Sequence, residues 1–382
     1  MTLICYSACK DKKDFGNKWH TLPIIQKKVV ILHTTKLIRT IVMTQRNNAF
    51  DFLCGLCVLR MGLNHITSFC GFSSAAWWQT LFYWTFFFIS FFFFKAGYFN
   101  KSVQGATMPY IQKKARQLLV PYLIWGLIGC VVYFSMMSIA AIRFHHFIED
   151  ISINHLWEAG GFWGNPPMWF LLVFFASYVG MHLLSKVPHL HWLVCLFPFI
   201  SYGLWRMDNP LWWSLNGVFM SIYVFMLGHY WHRLIQRLSN KAGFCLSLVL
   251  VLLFVAGNLM AHGELVAGNN LWSGHPVAVV VNLSTALCGL SGMLLTVHMP
   301  RIPIINFIGQ HSMVFFVAHY PMIVFYRFIR ITFGHSLLGR WDDLIILCVI
   351  IPVACSWLVP YVERIPWLSG RFRTPAVKDG NA

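Results

Sequence analysis

The sequence predicts an all-α, polytopic integral membrane protein, a helical bundle of about ten transmembrane helices with both termini in the cytoplasm. First, 58% of the 382 residues are hydrophobic and only 11% are charged, whereas roughly a quarter of the residues in soluble domains are charged. Second, apolar stretches of about 17–25 residues recur, each long enough to cross ~30 Å of hydrocarbon. Third, the segments between these stretches are alternately basic and acidic.

The apolar stretches define the predicted helices in order. They cover residues 50–69, 76–94, 118–140, 168–184, 191–205, 211–230, 244–260, 276–297, 305–325 and 344–361. The weakest of these predictions is 191–205, because this stretch is short and contains Pro198.

The connecting segments predict the orientation. With the amino terminus inside, the segments that face the cytoplasm are basic, and the segments that face outward carry most of the acidic residues. Three basic residues are exceptions, because they lie in an outward segment: Arg327, Arg330 and Arg340. An even number of spans with both termini inside therefore follows the positive-inside rule. We expect a multi-pass protein of the cell inner (plasma) membrane. Its net charge of +17 then reflects contact with membrane lipid and not nucleic-acid binding.

Three regions are predicted along the chain. Residues 1–43 form a basic extension without a spanning run or a signal-peptide layout, and we expect it to be disordered or to precede the true start at Met43. The intact mass of the expressed protein tests this start. Residues 44–366 form one helical membrane domain, and residues 367–382 form a cytoplasmic tail.

Arg60, Asn64 and His65 lie in the first span, where polar groups are costly. A guanidinium at mid-bilayer costs at least about 2.5–3.5 kcal/mol on insertion scales. Arg60 and His65 are five residues apart, about 140° around a helix, so both can border one cavity. A lone membrane histidine is usually explained by a hydrogen bond between helices, but three polar residues in one span favour a functional site.

The ninth span contains a second candidate, His319, at nearly the same depth as His65. Two imidazoles at matching depth on separate helices can face one chamber. Pro321 follows closely and is expected to bend the helix there.

Two other groups have alternative interpretations. Lys113, Lys114 and Arg116 begin the third span on the predicted inner side. They are either an anchor for lipid headgroups or a docking site for a phosphorylated donor. The segment 160–171 is rich in turn formers and aromatic residues, and it is either an interfacial belt or a platform for carbohydrate stacking.

The order of these elements resembles the membrane-bound acyltransferase 3 family of polysaccharide O-acyltransferases. The matching elements are Asp51-Phe52-Leu53-Cys54-Gly55 with His65, then Ala96-Gly97-Tyr98-Phe99, Lys113-Lys114-Ala115-Arg116 with Leu118-Leu119-Val120-Pro121-Tyr122, Met168-Trp169-Phe170-Leu171, and Ile308-Gly309 through Ser312 to His319. One position departs from the pattern. The family typically has a basic residue eleven positions before its essential histidine, and Cys54 stands there in this chain.

The resemblance implies an acyl-coenzyme A donor, most simply acetyl-coenzyme A, and a glycan or lipid-linked saccharide acceptor. Lys113, Lys114 and Arg116 would hold the phosphates of the coenzyme, and no metal is expected. Acyl transfer to a hydroxyl requires a base or an acyl carrier, and His65 is the preferred residue. Arg60, Asn64 and His319 are candidate donors to the oxyanion.

Two other classes of function stay open on the sequence alone. A transporter or flippase for a lipid-linked or anionic sugar could use Arg60 and His65 to bind an anion or relay protons. Matched broken helices or repeat halves, which are typical of transporters, are not evident in the pattern. A structural or assembly protein would use the same polar residues only to join helices.

Overall fold

The computed structural model describes residues 47–100, 106–144, 155–187, 190–266, 270–333 and 339–372. The predicted extension, residues 1–43, and residues 373–382 of the predicted tail lie outside the described residues. The described chain is mostly helical because a bilayer contains no water to satisfy backbone groups. In order the helices are α1 (Asn48–Phe69), α2 (Ala76–Thr85), α3 (Ser90–Tyr98), α4 (Thr107–Phe144), α5 (Trp169–Lys186), α6 (Phe197–Arg206), α7 (Val218–Ile235), α8 (Asn240–Met260), α9 (Pro276–Thr296), α10 (Pro303–Gln310), α11 (Ser312–Phe333), α12 (Arg340–Arg364) and α13 (Pro366–Ser369).

Eight helical segments within the described ranges are long and apolar enough to cross a membrane. They are Asn48–Phe69, Ala76–Tyr98, Thr107–Ile139, Pro166–Lys186, Asn240–Met260, Pro276–Thr296, Ser312–Arg330 and Arg340–Arg364. This finding confirms the predicted all-α, polytopic membrane fold.

Two of the ten predicted spans are not among these eight long, apolar segments. The stretch 191–205 forms a short 3-10 helix, Leu190–Leu196, followed by α6. The ten residues of α6 extend only about 15 Å, which is half of the hydrocarbon thickness. The stretch 211–230 becomes helical at α7 after a 3-10 turn, and His229, His232 and Arg233 lower the hydropathy of α7.

Two predicted spans are interrupted instead of continuous. The second is divided by a 3-10 turn at Phe86–Phe88, which separates α2 from α3. The ninth is divided at His311, whose backbone leaves the helical conformation between α10 and α11. Pro321 lies within α11, which continues through it to Phe333.

Glycines permit the closest helix contacts, as small residues generally do in membranes. A Cβ on Gly309 of α10 would lie 1.7 Å from the carbonyl oxygen of Asp51 in α1. A Cβ on Gly97 of α3 would lie 1.7 Å from the carbonyl oxygen of Phe225 in α7. Any larger side chain at these crossings would push the helices apart, so α1 is fixed on α10 and α3 on α7.

A two-stranded antiparallel hairpin follows α8. Its strands are β1 (Glu264–Val266) and β2 (Leu271–Ser273), with Leu265 opposite Trp272. Both of these side chains are buried. The hairpin is held partly by His262, which precedes β1: its Nε2 lies 2.7 Å from Glu264 Oε1, and its ring stacks on Tyr83 at 3.6 Å between ring centres.

Candidate functional site

A cavity of about 300 Å³ lies beside the second half of α1. Seven aromatic side chains line it: Phe82, Phe86, Phe88, Phe92, Trp169, Phe170 and Phe316. The 3-10 turn between α2 and α3 supplies two of these rings, and Leu265 and Val266 of the hairpin close another side. Among the described residues that line it, Asn64 and His65 carry the polar side chains that are suited to acid, base or amide chemistry.

His65 is half-buried in the wall of this cavity. Its ring centre is 5.3 Å from that of His319 and 5.2 Å from that of Tyr320, which is perpendicular to it. The structure therefore brings together the two histidines that the sequence placed at matching depth. No hydrogen bond from the rest of the described chain holds the His65 ring, so both of its nitrogens are available to a ligand or to His319.

His319 is buried behind His65 on α11. Its Nδ1 lies 2.7 Å from the carbonyl oxygen of Phe316 and 3.1 Å from that of Phe315. Because carbonyls only accept hydrogen bonds, Nδ1 carries the proton, and the Nε2 of the neutral ring carries the lone pair. Nε2 is buried and makes no hydrogen bond to any described residue. A buried acceptor without a donor is costly, so it is well suited to receive a proton or a hydrogen bond from the site.

Arg60 adopts a different environment from His65, although both are on α1. Its Nε donates to Thr85 Oγ1 at 2.7 Å. The guanidinium carbon lies 4.2 Å from the ring centre of Trp78, 4.7 Å from that of Phe88 and 4.9 Å from that of Phe82. Arg60 thus sits in an aromatic cage, which stabilises a cation through ring quadrupoles. Phe82 and Phe88 also line the cavity, so the charge lies directly behind the cavity wall.

The predicted donor-binding cluster on α4 divides into two environments. Lys113 and Arg116 are exposed, and neither makes an ion pair within the described chain. Lys114 is half-buried instead, with its Nζ 3.5 Å from the ring centre of Tyr178 and 5.8 Å from that of Tyr110. Lys113 and Arg116 are therefore the cations that are open to an anionic ligand.

The segment 160–171 folds inward and contributes to the site. Asn165 is fully buried, and its Nδ2 donates to the carbonyl oxygens of Val317 (2.9 Å) and Trp125 (3.3 Å). This anchor positions Pro167, Trp169 and Phe170 on the cavity wall. Sequence reasoning did not single out Asn165. The flanking Gly164 and Pro166 were signals of a turn, but they did not reveal its partners.

A polar cluster at the start of α1 was also missed. Lys95 Nζ, from α3, lies 4.0 Å from Asp51 Oδ1. The Nε2 of Gln310 donates to Asp51 Oδ2 at 3.1 Å. Nearby on the chain, His311 Nδ1 lies 2.6 Å from Glu363 Oε1. The one signal in the sequence was Lys95 itself, a cation directly before the family-like element Ala96-Gly97-Tyr98-Phe99.

Comparison with known proteins gives one result. Residues 47–359 match the model of a family described as an acyltransferase domain, acyltransferase 3. No curated protein and no solved structure matches the chain. The matched range covers most of the predicted membrane domain, 44–366, and includes the histidine pair, the aromatic cavity and the α4 cations. The chain therefore belongs to the acyltransferase 3 family and is a membrane acyltransferase.

Proposed function

We propose that this enzyme transfers an acyl group, most simply acetyl, from acyl-coenzyme A to a hydroxyl of a cell-envelope or exported glycan, with His65 as the base or the acyl carrier. The observation that carries the proposal is His65 at the wall of an aromatic cavity, with the His319 ring beside it. An imidazole at neutral pH can accept the proton of a hydroxyl, and it can also carry an acyl group.

In the direct route, the hydroxyl oxygen of the acceptor attacks the thioester carbonyl while His65 takes the hydroxyl proton. The carbonyl oxygen becomes an oxyanion, the carbon–sulfur bond then breaks, and His65 returns the proton to the leaving thiolate. His319 can stabilise the intermediate imidazolium, because its ring centre lies 5.3 Å from that of His65 and its buried Nε2 makes no hydrogen bond to any described residue. The products are the ester and coenzyme A.

Asn64 is the proposed donor to the oxyanion. It is adjacent to His65 on α1 and lines the same cavity, and a side-chain amide is a common oxyanion donor. Arg60 is caged behind Phe82 and Phe88. We therefore expect it to contribute positive charge behind the wall and not a direct hydrogen bond.

Lys113 and Arg116 are proposed to hold the phosphates of the donor. Both are exposed, and neither has a carboxylate partner in the described ranges, so they retain their hydrogen bonds for a phosphate. With the orientation that the charges predict, this end faces the cytoplasm, where acyl-coenzyme A is available. The acceptor is proposed to use the side of the cavity formed by Pro167, Trp169 and Phe170, where flat aromatic faces suit a sugar ring.

The test uses membrane vesicles that contain the protein, radiolabelled acetyl-coenzyme A and the endogenous glycan. We expect label in the glycan with the wild-type protein and at least a ~10²-fold lower rate with His65→Ala, the range associated with loss of a general base. His298→Ala is the matched control, because His298 is exposed and lies beyond the end of α9.

Two outcomes would contradict the proposal. Label transfer that is unchanged in His65→Ala would remove His65 from the reaction. Consumption of acetyl-coenzyme A without label in any glycan would show that the acceptor is a different class of molecule.

A further inference from the structure

We infer that Lys95 binds a phosphate of the acyl-coenzyme A donor, in place of the basic residue that the family pattern has at the position of Cys54. The inference rests on the proposed function. It assigns to Lys95, on a different helix, the role of binding a phosphate of the acyl-coenzyme A donor. Its starting observation is the ion pair between Lys95 Nζ and Asp51 Oδ1, 4.0 Å apart.

The geometry of α1 explains why Lys95 can replace a residue at position 54. Residues three apart on a helix lie on the same face, one turn from each other. A cation at position 54 would therefore lie beside Asp51. In this chain position 54 is a buried cysteine, and the cation beside Asp51 comes from α3 instead.

The position of Lys95 is fixed by the fold. On either side of it, Phe94 is fully buried and Gly97 contacts the backbone of Phe225 in α7. The reciprocal contact is also too close for a side chain, because a Cβ on Gly228 of α7 would lie 2.1 Å from the carbonyl oxygen of Phe94. The backbone that carries Lys95 thus has little freedom to move, which is the preorganisation that a binding residue needs.

The ammonium of Lys95 is also free to bind a ligand. A separation of 4.0 Å is an ion pair but is too long for a hydrogen bond. Lys95 makes no hydrogen bond to the described parts of the chain, and 26% of its side chain is exposed. Asp51 holds the ammonium in place, while the three N–H groups stay available for an anionic oxygen.

The position of Lys95 is suited to contact the phosphates of the donor and not its thioester. Asp51 and His65 are fourteen residues apart on α1, which is about 21 Å along a helix. Lys95 therefore lies too far from His65 to contact the reacting carbonyl. An anchor for phosphate at this end would leave the long arm of the coenzyme to extend along α1 towards His65.

Binding of coenzyme A to the purified, detergent-solubilised protein tests the inference. Lys95→Met keeps the aliphatic stem and removes the charge, and we expect it to weaken coenzyme A binding about 10–100-fold, as for a lost charged hydrogen bond. Adding Cys54→Arg to Lys95→Met should restore binding to within about threefold of the wild type, since the new guanidinium would enter the space beside Asp51.

A second double variant distinguishes binding from a purely structural ion pair. Lys95→Met with Asp51→Asn removes both charges, so no buried carboxylate is left unpaired. If Lys95 binds the donor, coenzyme A binding stays weak in this variant even when its thermal midpoint matches the wild type. If binding recovers, Lys95 only neutralises Asp51 and the inference is overturned.

The wild-type protein separates this inference from the proposed function. A wild type that binds coenzyme A and transfers acetyl groups, together with a Lys95→Met variant that binds equally well, overturns the inference alone. A wild type that neither binds coenzyme A nor consumes acetyl-coenzyme A overturns the proposed function and the inference with it.

Discussion

The polar groups at the two ends of α1 differ in whether they have hydrogen-bond or ion-pair partners. At the Asp51 end the carboxylate has an ion pair with Lys95 and a hydrogen bond from Gln310. At the His65 end, His65 has no hydrogen bond to the described chain, and His319 Nε2 is buried without a donor. Polar groups are expensive in a membrane interior. Satisfied groups there are explained by the fold itself, whereas unsatisfied groups beside a cavity require a ligand to explain them.

Arg60 lies between these two ends and resembles neither. Its Nε donates to Thr85 and its guanidinium lies against aromatic faces, but Nη1 and Nη2 are buried without a hydrogen-bond partner among the described residues. This arrangement shows that a buried cation in a span can be stabilised without a carboxylate. His65 lines the cavity and Arg60 does not, so Arg60 is a weaker candidate for direct contact with the reacting atoms than His65.

The largest expected effect concerns the His65 end of α1. His319→Ala should lower the rate of acetyl transfer about 10²–10³-fold, because the His65 imidazolium would lose its neighbouring acceptor. Binding of coenzyme A should stay within about twofold of the wild type, since His319 lies away from the α4 cations. Steady-state acetyl-coenzyme A consumption and a binding isotherm measure the two quantities. A loss of binding that equals the loss of rate would mean that His319 is structural, and the contrast between the two ends of α1 would fail.

The next effect concerns helix packing at the Asp51 end of α1. A Cβ on Gly55 would lie 2.1 Å from the carbonyl oxygen of Ile305, whereas a Cβ on Gly62 meets nothing within 4 Å. Gly55→Ala should therefore destabilise the protein by about 1–3 kcal/mol through overpacking. Gly62→Ala, the same change on the same helix, should be neutral or stabilising by up to ~1 kcal/mol through helix propensity. Thermal unfolding of the two solubilised variants measures the difference. Equal midpoints would show that α1 and α10 are not held as closely as described.

The sequence was sufficient for the fold class, and it nominated candidate site residues, but it did not predict their surroundings. Hydrophobic runs and loop charges predict spans because the membrane imposes length and polarity on each helix independently. Two of the ten predicted spans, 191–205 and 211–230, are not among the eight segments that meet the length and hydropathy criteria in the described residues, because an apolar run does not by itself fix the length of one continuous helix, as α6 shows. Likewise, the 140° between Arg60 and His65 was predictable, but the aromatic cage was not, since its rings come from another part of the chain.

The same limit applies to Lys95 and Asn165. Lys95 is 44 residues from Asp51 in sequence, and Asn165 is 152 residues from Val317, whose carbonyl accepts its hydrogen bond. Pairings over such separations depend on which helices become neighbours. One sequence contains no direct signal for that choice. The residues on a single helix were therefore predictable as a group, and matching depth predicted the proximity of His65 and His319, whereas these other contacts between helices required coordinates.

A smaller effect compares the two kinds of cation on α4. Lys113→Ala with Arg116→Ala should raise KM for acetyl-coenzyme A about tenfold with kcat unchanged, because exposed phosphate contacts contribute equally to the ground and transition states. Lys114→Ala should instead lower the thermal midpoint, because the ammonium over Tyr178 contributes about 0.5–2 kcal/mol. If the double variant changes only the amount of protein in the membrane, the interpretation of these residues as a headgroup anchor is correct.

The smallest expected effect is that of Arg60→Met. Methionine fills the space of the arginine stem and packs well against aromatic rings. Removal of a buried charge is often neutral or stabilising. We expect the thermal midpoint to be maintained and the transfer rate to fall by no more than about threefold, since the guanidinium acts only from behind Phe82 and Phe88.

Asn64→Ala is the matched comparison for Arg60→Met, because Asn64 lines the cavity directly. Loss of one oxyanion donor lowers kcat by roughly 10²–10³-fold, so Asn64→Ala should be far more damaging than Arg60→Met. Rates measured under saturating acetyl-coenzyme A decide between the two. Equal losses would mean that the Trp78–Phe82–Phe88 cage opens during the reaction and that Arg60 reaches the reacting carbonyl. In that case the cage would hold a catalytic cation, and α1 would place three polar residues, not two, at the site of chemistry.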